Sequence, residues 1–250
     1  MMADFSPSVT VSQISEFLKE RLGGKSAIVG VSGGIDSAVV VSILQRTVGV
    51  HRIHAYFLPD SMTPGTDYED VRALSDKLGM VIKTIDISSP VESFRNLLDI
   101  SDLRFLGNVK SRVRMITLYY FSAFFDGLVV GTTNRSEYLT GYFTKFGDGA
   151  CDIEPVMHLY KDDIRLIARY LEVPTHIIEK KPSAGLWESQ TDEEEMGLTY
   201  IQLDRKLRSY STSGESALTG EEDGKRVLEM IRKSDHKRHP PASLMGREEV

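Results

Sequence analysis

Apolar residues recur along this chain with two different spacings, and their alternation predicts the architecture. Val11, Ile14, Phe17, Leu18 and Leu22 follow a helical period, which predicts an amphipathic helix over 9–22. Ala27-Ile28-Val29 reads as a first strand, and Ala38 to Leu44 as the helix after it. Ile53 to Leu58 reads as a second strand ended by Pro59. Thr66-Asp67-Tyr68-Glu69 has capping-box spacing and should start a helix reaching about Leu78, where Gly79 stops it. Val81 to Ile87 forms the third predicted strand, and Gly127-Leu128-Val129-Val130-Gly131 the fourth. Between them lies a long helical region over about 103–125, on which Val109, Val113, Ile116 and Tyr120 make the expected buried stripe and leave Arg112 on another face.

Strands alternating with helices predict an α/β fold, a doubly wound and mostly parallel five-stranded sheet with helices on both faces. Ligands of such sheets bind beyond the carboxyl ends of the strands, where the strand order reverses. The loops after strands one and four should therefore face one ligand, although a hundred residues separate them. From about 182 the pattern changes: a loop over about 182–195 reads as a lid, and 196–240 as polar helices broken near Ser213-Gly214-Glu215. The whole reads as one domain over 1–250, its core about 10–181.

With 250 residues, 41% of them apolar, the chain can bury a full core. Thirty basic against 36 acidic residues give a net charge of −6, which argues against a nucleic-acid binder. No apolar run approaches the roughly 20 residues of a membrane span. The opening Met-Met-Ala-Asp-Phe-Ser lacks the regions of a signal peptide, and the single cysteine, Cys151, suits a reducing interior. Both predict a cytoplasmic location. The six histidines show no convincing metal pattern.

The candidate chemistry begins at Gly30, Val31, Ser32, Gly33, Gly34, Ile35, Asp36 and Ser37, between the first strand and its helix. Glycines allow a sharp turn that brings N–H groups against an anion, and the helix points its positive end at the same spot. Asp36 is an acid where phosphate should sit, an arrangement that makes sense with Mg2+ between the two. Gly24-Lys25-Ser26 imitates a Walker loop but lies before the strand, and Lys19 stands where that loop needs another glycine.

This octapeptide resembles the fingerprint of the N-type ATP pyrophosphatases, or PP-loop enzymes, which hold the pyrophosphate of ATP while AMP is transferred. Gly131 to Leu139, Thr140 to Asp152, Asn108 to Met115, Leu159-Tyr160-Lys161 and Lys181 to Trp187 narrow the resemblance to the NAD synthetase family over about 25–240. The resemblance implies ATP-dependent amidation of deamido-NAD. ATP adenylylates the nicotinate carboxylate, pyrophosphate leaves, and ammonia displaces AMP to give NAD. Members without a glutaminase domain use free ammonia and work as homodimers that complete the substrate site across the subunit interface. The alternative is another PP-loop amidotransferase or thiolation enzyme such as GMP synthetase, which lacks the Tyr142 to Gly149 stretch.

Residue by residue, the resemblance assigns Asp36 and Glu137 to Mg2+. It assigns the octapeptide, Thr132, Lys161 and Ser183 to ATP, and Arg112, Lys145, Asp152, His236 and Lys237 to deamido-NAD. Taken alone, Thr132 reads equally as a helix cap, Lys161 as a surface lysine beginning a helix, and His236-Lys237 as a basic tail. Arg112 and Arg114 remain alternatives for the substrate contact. Lys161 would steady charge at the α-phosphorus. Asp148 is the candidate base that draws ammonium in and removes a proton, or else a turn aspartate between two glycines. Cys151 is rejected as a glutaminase nucleophile, because such a site needs its own base and oxyanion pocket.

Overall fold

The computed structural model describes residues 5–182 and 191–242. The first helix, α1 (Pro7–Leu22), buries Val11, Ile14, Leu18 and Leu22 and ends at Gly23 in the left-handed conformation. After it come β1 (Ser26–Gly30), α2 (Ile35–Val48), β2 (Ile53–Phe57), α3 (Gly65–Leu78), β3 (Ile82–Thr84), α4 (Ser88–Leu97), α5 (Leu103–Phe124) and β4 (Gly127–Val130). The remaining helices are α6 (Arg135–Thr140), α7 (Lys161–Tyr170), α8 (Thr175–Glu179), α9 (Asp192–Met196), α10 (Tyr200–Ser213) and α11 (Glu222–Lys233). The strands are parallel in the order β3-β2-β1-β4, with Ala27 of β1 opposite Ile53 of β2 and Leu128 of β4. The order reverses between β1 and β4, so the two loops expected to meet leave the sheet side by side.

Side chains of β1 alternate between two cores. Ala27 and Val29 join a cluster with α1, α2 and α7, while Ile28 joins Tyr56, Leu106 and Val113 beneath α4 and α5. All three β1 side chains are fully buried, and burying a valine or isoleucine contributes about 1.5–3 kcal/mol. A third cluster, including Leu139, Tyr200, Leu203, Leu207, Val227 and Ile231, is built by α6, α10 and α11. The polar C-terminal helices thus hide an apolar face against each other and against the helix that follows β4.

Four details differ from the pattern-based expectation. The fifth strand shrinks to a single bridge between Ile153 and Val130 among the described residues. Pro155 cannot donate to a ladder, and the Asp152 carboxylate instead accepts the Val129 N–H at 2.7 Å. Helix α3 starts at Gly65 without a side-chain cap, because Pro64 already sets the extended approach (φ −59°, ψ 144°) and Thr66 falls inside the first turn. Third, β3 covers three residues, and the chain turns into α4 at Ser88.

The fourth difference concerns α5, where Val113 of the expected stripe is buried but Ile116 and Tyr120 are 57% and 60% exposed, and the buried face also carries Leu106 and Lys110. A lysine can sit there because Asp60 neutralises it at 2.8 Å, with both side chains 1% exposed. Arg112 is exposed, as expected. Of the predicted lid, residues 183–190 including Ser183 lie outside the described residues, and 192–196 form α9.

Candidate active site

The ladder continues past β1 through the Val31 N–H, which donates to the Tyr56 carbonyl at 2.8 Å. The chain then turns at Gly33, whose φ of +83° favours glycine; a Cβ there would lie 3.2 Å from the Asp67 carbonyl oxygen. Within the loop the Ser32 N–H donates to Ser37 Oγ at 3.2 Å, and Ser37 Oγ donates to the Gly34 carbonyl at 3.0 Å. Helix α2 follows at once, with Asp36 in its first turn.

From β4 the chain runs through Thr132 to α6, which Asn134 opens with a reciprocal cap. Asn134 Oδ1 accepts the Glu137 N–H at 3.0 Å, and the Glu137 carboxylate accepts the Asn134 N–H at 3.2 Å. The helix-cap role therefore falls to Asn134, leaving the Thr132 hydroxyl outside it. Asn134 also donates from Nδ2 to Asp36 at 2.9 Å, tying the two loops together.

Lys161, first residue of α7, closes the group. Its ammonium lies 2.6 Å from Asp36 and 3.2 Å from Glu137, and 4.9 Å from the centre of the Tyr200 ring. The Lys161 side chain is 4% exposed, so it is an interior cation and not the surface lysine that its position alone suggests. Burial alone would lower its pKa, but Asp36 and Glu137 outweigh burial and hold it above the ordinary lysine value. Burial raises Glu137, with the Asp36 charge adding and the Lys161 charge opposing. Helix α7 is anchored by Asp204, which accepts the Asp162 N–H at 3.0 Å and the Ser136 hydroxyl at 2.5 Å; Ser136 Oγ in turn accepts the Lys161 N–H.

The stretch from Tyr142 to Asp152 packs against α5 and the C-terminal turn. Ser111 donates to Asp148 Oδ1 at 2.5 Å and accepts the Asp148 N–H at 2.8 Å, while the Thr144 N–H also reaches Oδ1 at 2.9 Å. Asp148 is thus a turn aspartate in its local bonding, whatever further role it has. Arg112 donates to the Lys145 carbonyl, Lys145 to the His236 carbonyl, and Lys237 to the carbonyls of Gly141 and Phe143. These contacts bring Arg112, Lys145, His236 and Lys237 to one place. Arg114 is engaged elsewhere, on the Leu58 carbonyl and Asp60. Asp152 holds the Val129 N–H and accepts from the Tyr119 hydroxyl.

The NAD synthase family profile matches residues 9–241. The chain belongs to the NAD synthase family. It is 49% identical over 233 residues to the NH(3)-dependent NAD(+) synthetase of Picrophilus torridus, covering 93% of each chain. To that of Thermoplasma volcanium it is 48% identical, covering 94% of this chain and 96% of the relative. Among solved structures it is similar to the NMN synthetase of Francisella tularensis, with TM-score 0.86 and 34% identity over 96% of this chain and 99% of that one. The NH3-dependent NAD synthetase of Campylobacter jejuni aligns with TM-score 0.82 and 28% identity over 96% of this chain and 100% of that one. These matches do not favour GMP synthetase.

One further group in the site carries no signal in the pattern. Asp192, at the start of α9, is 4% exposed, accepts from the Tyr200 hydroxyl at 3.0 Å, and leaves Oδ1 without a partner. Burial raises its pKa, opposed by Lys161. Tyr142 donates to Glu195 on the same short helix, so α9 contacts both the stretch from Tyr142 to Asp152 and the ring above Lys161. Only the spacing Asn134-x-x-Glu137 could have disclosed the cap; the buried partners come from distant segments.

A divalent cation fits the donor set. Asp36 and Glu137 both reach one ammonium, so their carboxylates face a common point, and Mg2+ characteristically takes one or two carboxylates with phosphate oxygens and waters. No group of three or more His, Cys, Asp or Glu is placed to hold a metal among the described residues. No helix among them is long and apolar enough to cross a membrane.

Proposed function

We infer that this member of the NAD synthase family catalyses ATP-dependent amidation of deamido-NAD with ammonia, forming NAD, AMP and pyrophosphate. The reading rests on one observation above the rest: the glycine loop's Asp36 and the post-β4 Glu137 meet at the ammonium of Lys161, in a chain 49% identical to an NH(3)-dependent NAD(+) synthetase. The loop N–H groups and the α2 N-terminus would receive the ATP phosphates. Asp36 and Glu137 would hold Mg2+, which when bound neutralises phosphate charge. Lys161, released from its carboxylates, would steady negative charge at the α-phosphorus, and Thr132 and Ser183 would contact ATP. Arg112, Lys145, Asp152, His236 and Lys237 would bind deamido-NAD, and Asp148 would face the incoming nitrogen.

Ammonia, and not a glutamine-derived thioester, suits Cys151, whose thiol is pushed up by burial and by Glu154, away from the reactive thiolate. A homodimer suits the apolar face of α4 and α5, where Leu97, Leu98, Phe105, Ile116, Tyr120 and Phe124 are each more than half exposed. We place the enzyme in the cytoplasm on its single cysteine.

The deciding assay combines the protein with ATP, Mg2+, an ammonium salt and deamido-NAD, and measures NAD and pyrophosphate. The name of the Francisella protein makes the mononucleotide counterpart a necessary competitor in that assay. Pyrophosphate release with the mononucleotide or with xanthosine monophosphate, and none with deamido-NAD, would refute the reading.

A further inference from the structure

When an ammonium nitrogen becomes an amide nitrogen, two protons must leave it. Asp148 is one acceptor, and its Oδ1 is already bound by Ser111 and Thr144. A second carboxylate lies within its electrostatic reach. Glu154 lines a cavity of about 170 Å³ whose walls include Thr133, Tyr138, Phe143, Gly149 and Lys237. Its Oε2 accepts the Thr133 N–H at 3.2 Å. Gly131 makes room for it, because a Cβ there would lie 2.3 Å from Glu154 Oε1. The carboxylate is therefore set against the end of β4, beside Thr132 and within the electrostatic reach of Asp148.

The cavity already accommodates one ammonium group. Lys237 donates to the carbonyls of Gly141 and Phe143, both at 2.7 Å, and stands 5.3 Å from the centre of the Phe143 ring. That cation and the buried setting both weaken the hold of a second ammonium on its proton. Among the described residues, the charged or titratable groups facing Glu154 or the cavity are Tyr138, Asp148, Cys151, Lys237, Arg238 and His239. Arg238 donates to the carbonyls of Leu139 and Ile231, His239 pairs with Asp235, and burial raises the Cys151 thiol. Burial likewise raises Glu154, with Cys151 and Thr133 opposing and Asp148 adding, to about 7. A base with that value is matched to proton transfer near neutrality.

We propose that Glu154 is the carboxylate that takes the first proton from ammonium, in the cavity under Phe143; the assignment rests on the amidation reading above. An N–H bond of ammonium breaks and its proton passes to Glu154. The freed lone pair forms the C–N bond at the acyl-adenylate carbonyl. The C–O bond to the phosphate of AMP breaks, and the second proton leaves the new nitrogen to Asp148.

The test uses the full chain and Glu154→Gln, which keeps an acceptor for the Thr133 N–H. Two quantities are measured: pyrophosphate release from ATP and deamido-NAD without ammonium, and NAD formation against ammonium concentration across pH. Glu154→Gln should still release pyrophosphate, while kcat/KM for ammonium falls by roughly 10²-fold and the loss of activity below neutral pH disappears from the profile. Glu154→Asp, which retains a carboxylate, should recover part of the rate and move that limb to lower pH. Unchanged ammonium dependence in Glu154→Gln, or equal impairment in both variants, would overturn the assignment. Failure of the wild-type chain to make any NAD would instead overturn the amidation reading beneath it.

Discussion

Replacing Lys161 by methionine keeps the bulk of the side chain and removes the cation between Asp36 and Glu137. At an effective dielectric of about 20, a 2.6 Å ion pair such as Lys161–Asp36 is worth roughly 6 kcal/mol of attraction. Desolvating a buried ammonium takes several kcal/mol back, and removing one partner of a buried pair costs about 3–5 kcal/mol net. Glu137, already raised by burial, can take a proton and relieve part of the repulsion, so the loss at neutral pH should fall near the lower end of that range. It should grow as the pH rises and that proton is lost. For a chain of this size each kcal/mol shifts Tm by about 2–4 °C, so a drop of roughly 6–12 °C is expected. Thermal unfolding of wild type and Lys161→Met across pH, with and without Mg2+, measures it. Millimolar Mg2+ should restore stability to the variant and change the wild type little, because the freed carboxylates can then hold the metal. A wild-type Tm in the variant, or a deficit indifferent to both pH and Mg2+, would refute the account of this cluster.

Three other outcomes are expected. Asp148→Asn should slow NAD formation at limiting ammonium while adenylate accumulates; unchanged ammonium kinetics would exclude Asp148 from proton transfer. Glu154 is held above its unfolded value of 4.5 at about 7, so its contribution to stability is complete below about pH 4.5 and lost as pH rises through 7. Melting curves should therefore fall less over that interval in Glu154→Gln than in wild type, and parallel curves would contradict the raised value. Ile116→Asp, on the exposed apolar face of α5, should convert a dimer to monomers in sedimentation measurements without lowering the helix content seen by circular dichroism. A dimer that survives the substitution would move the interface elsewhere.

What could be read from the chain was local. Short apolar runs bounded by glycine or proline located β1, β2 and β4, and a helical period located α1. The glycine loop was locatable because strand, turn and helix are contiguous there. Burial decided by a distant partner was not legible: Lys110 looks like a surface residue until Asp60, fifty positions away, is seen to neutralise it. For the same reason the apolar stripe on α5 is legible at Val109 and Val113 but misleads at Ile116 and Tyr120, whose apolarity belongs to an exposed face. Lys161 itself has no local signature of burial, since its partners come from α2 and α6. The capping-box spacing at Thr66 misled because Pro64 opens the helix earlier, whereas the same spacing at Asn134 does cap a helix.

The one-residue bridge at Ile153 also bears on solubility. An exposed edge strand such as β4, with its Leu128-Val129-Val130 run, would offer unpaired N–H and carbonyl groups as a template for strand addition by another molecule. Here the Asp152 carboxylate takes the Val129 N–H, and Ile153 pairs with the backbone around Val130. Pro155 then prevents the ladder from continuing. The border of the sheet is sealed by the same segment that ends the stretch proposed to bind deamido-NAD, so mutations loosening 150–155 should promote aggregation as well as lower any NAD-forming activity.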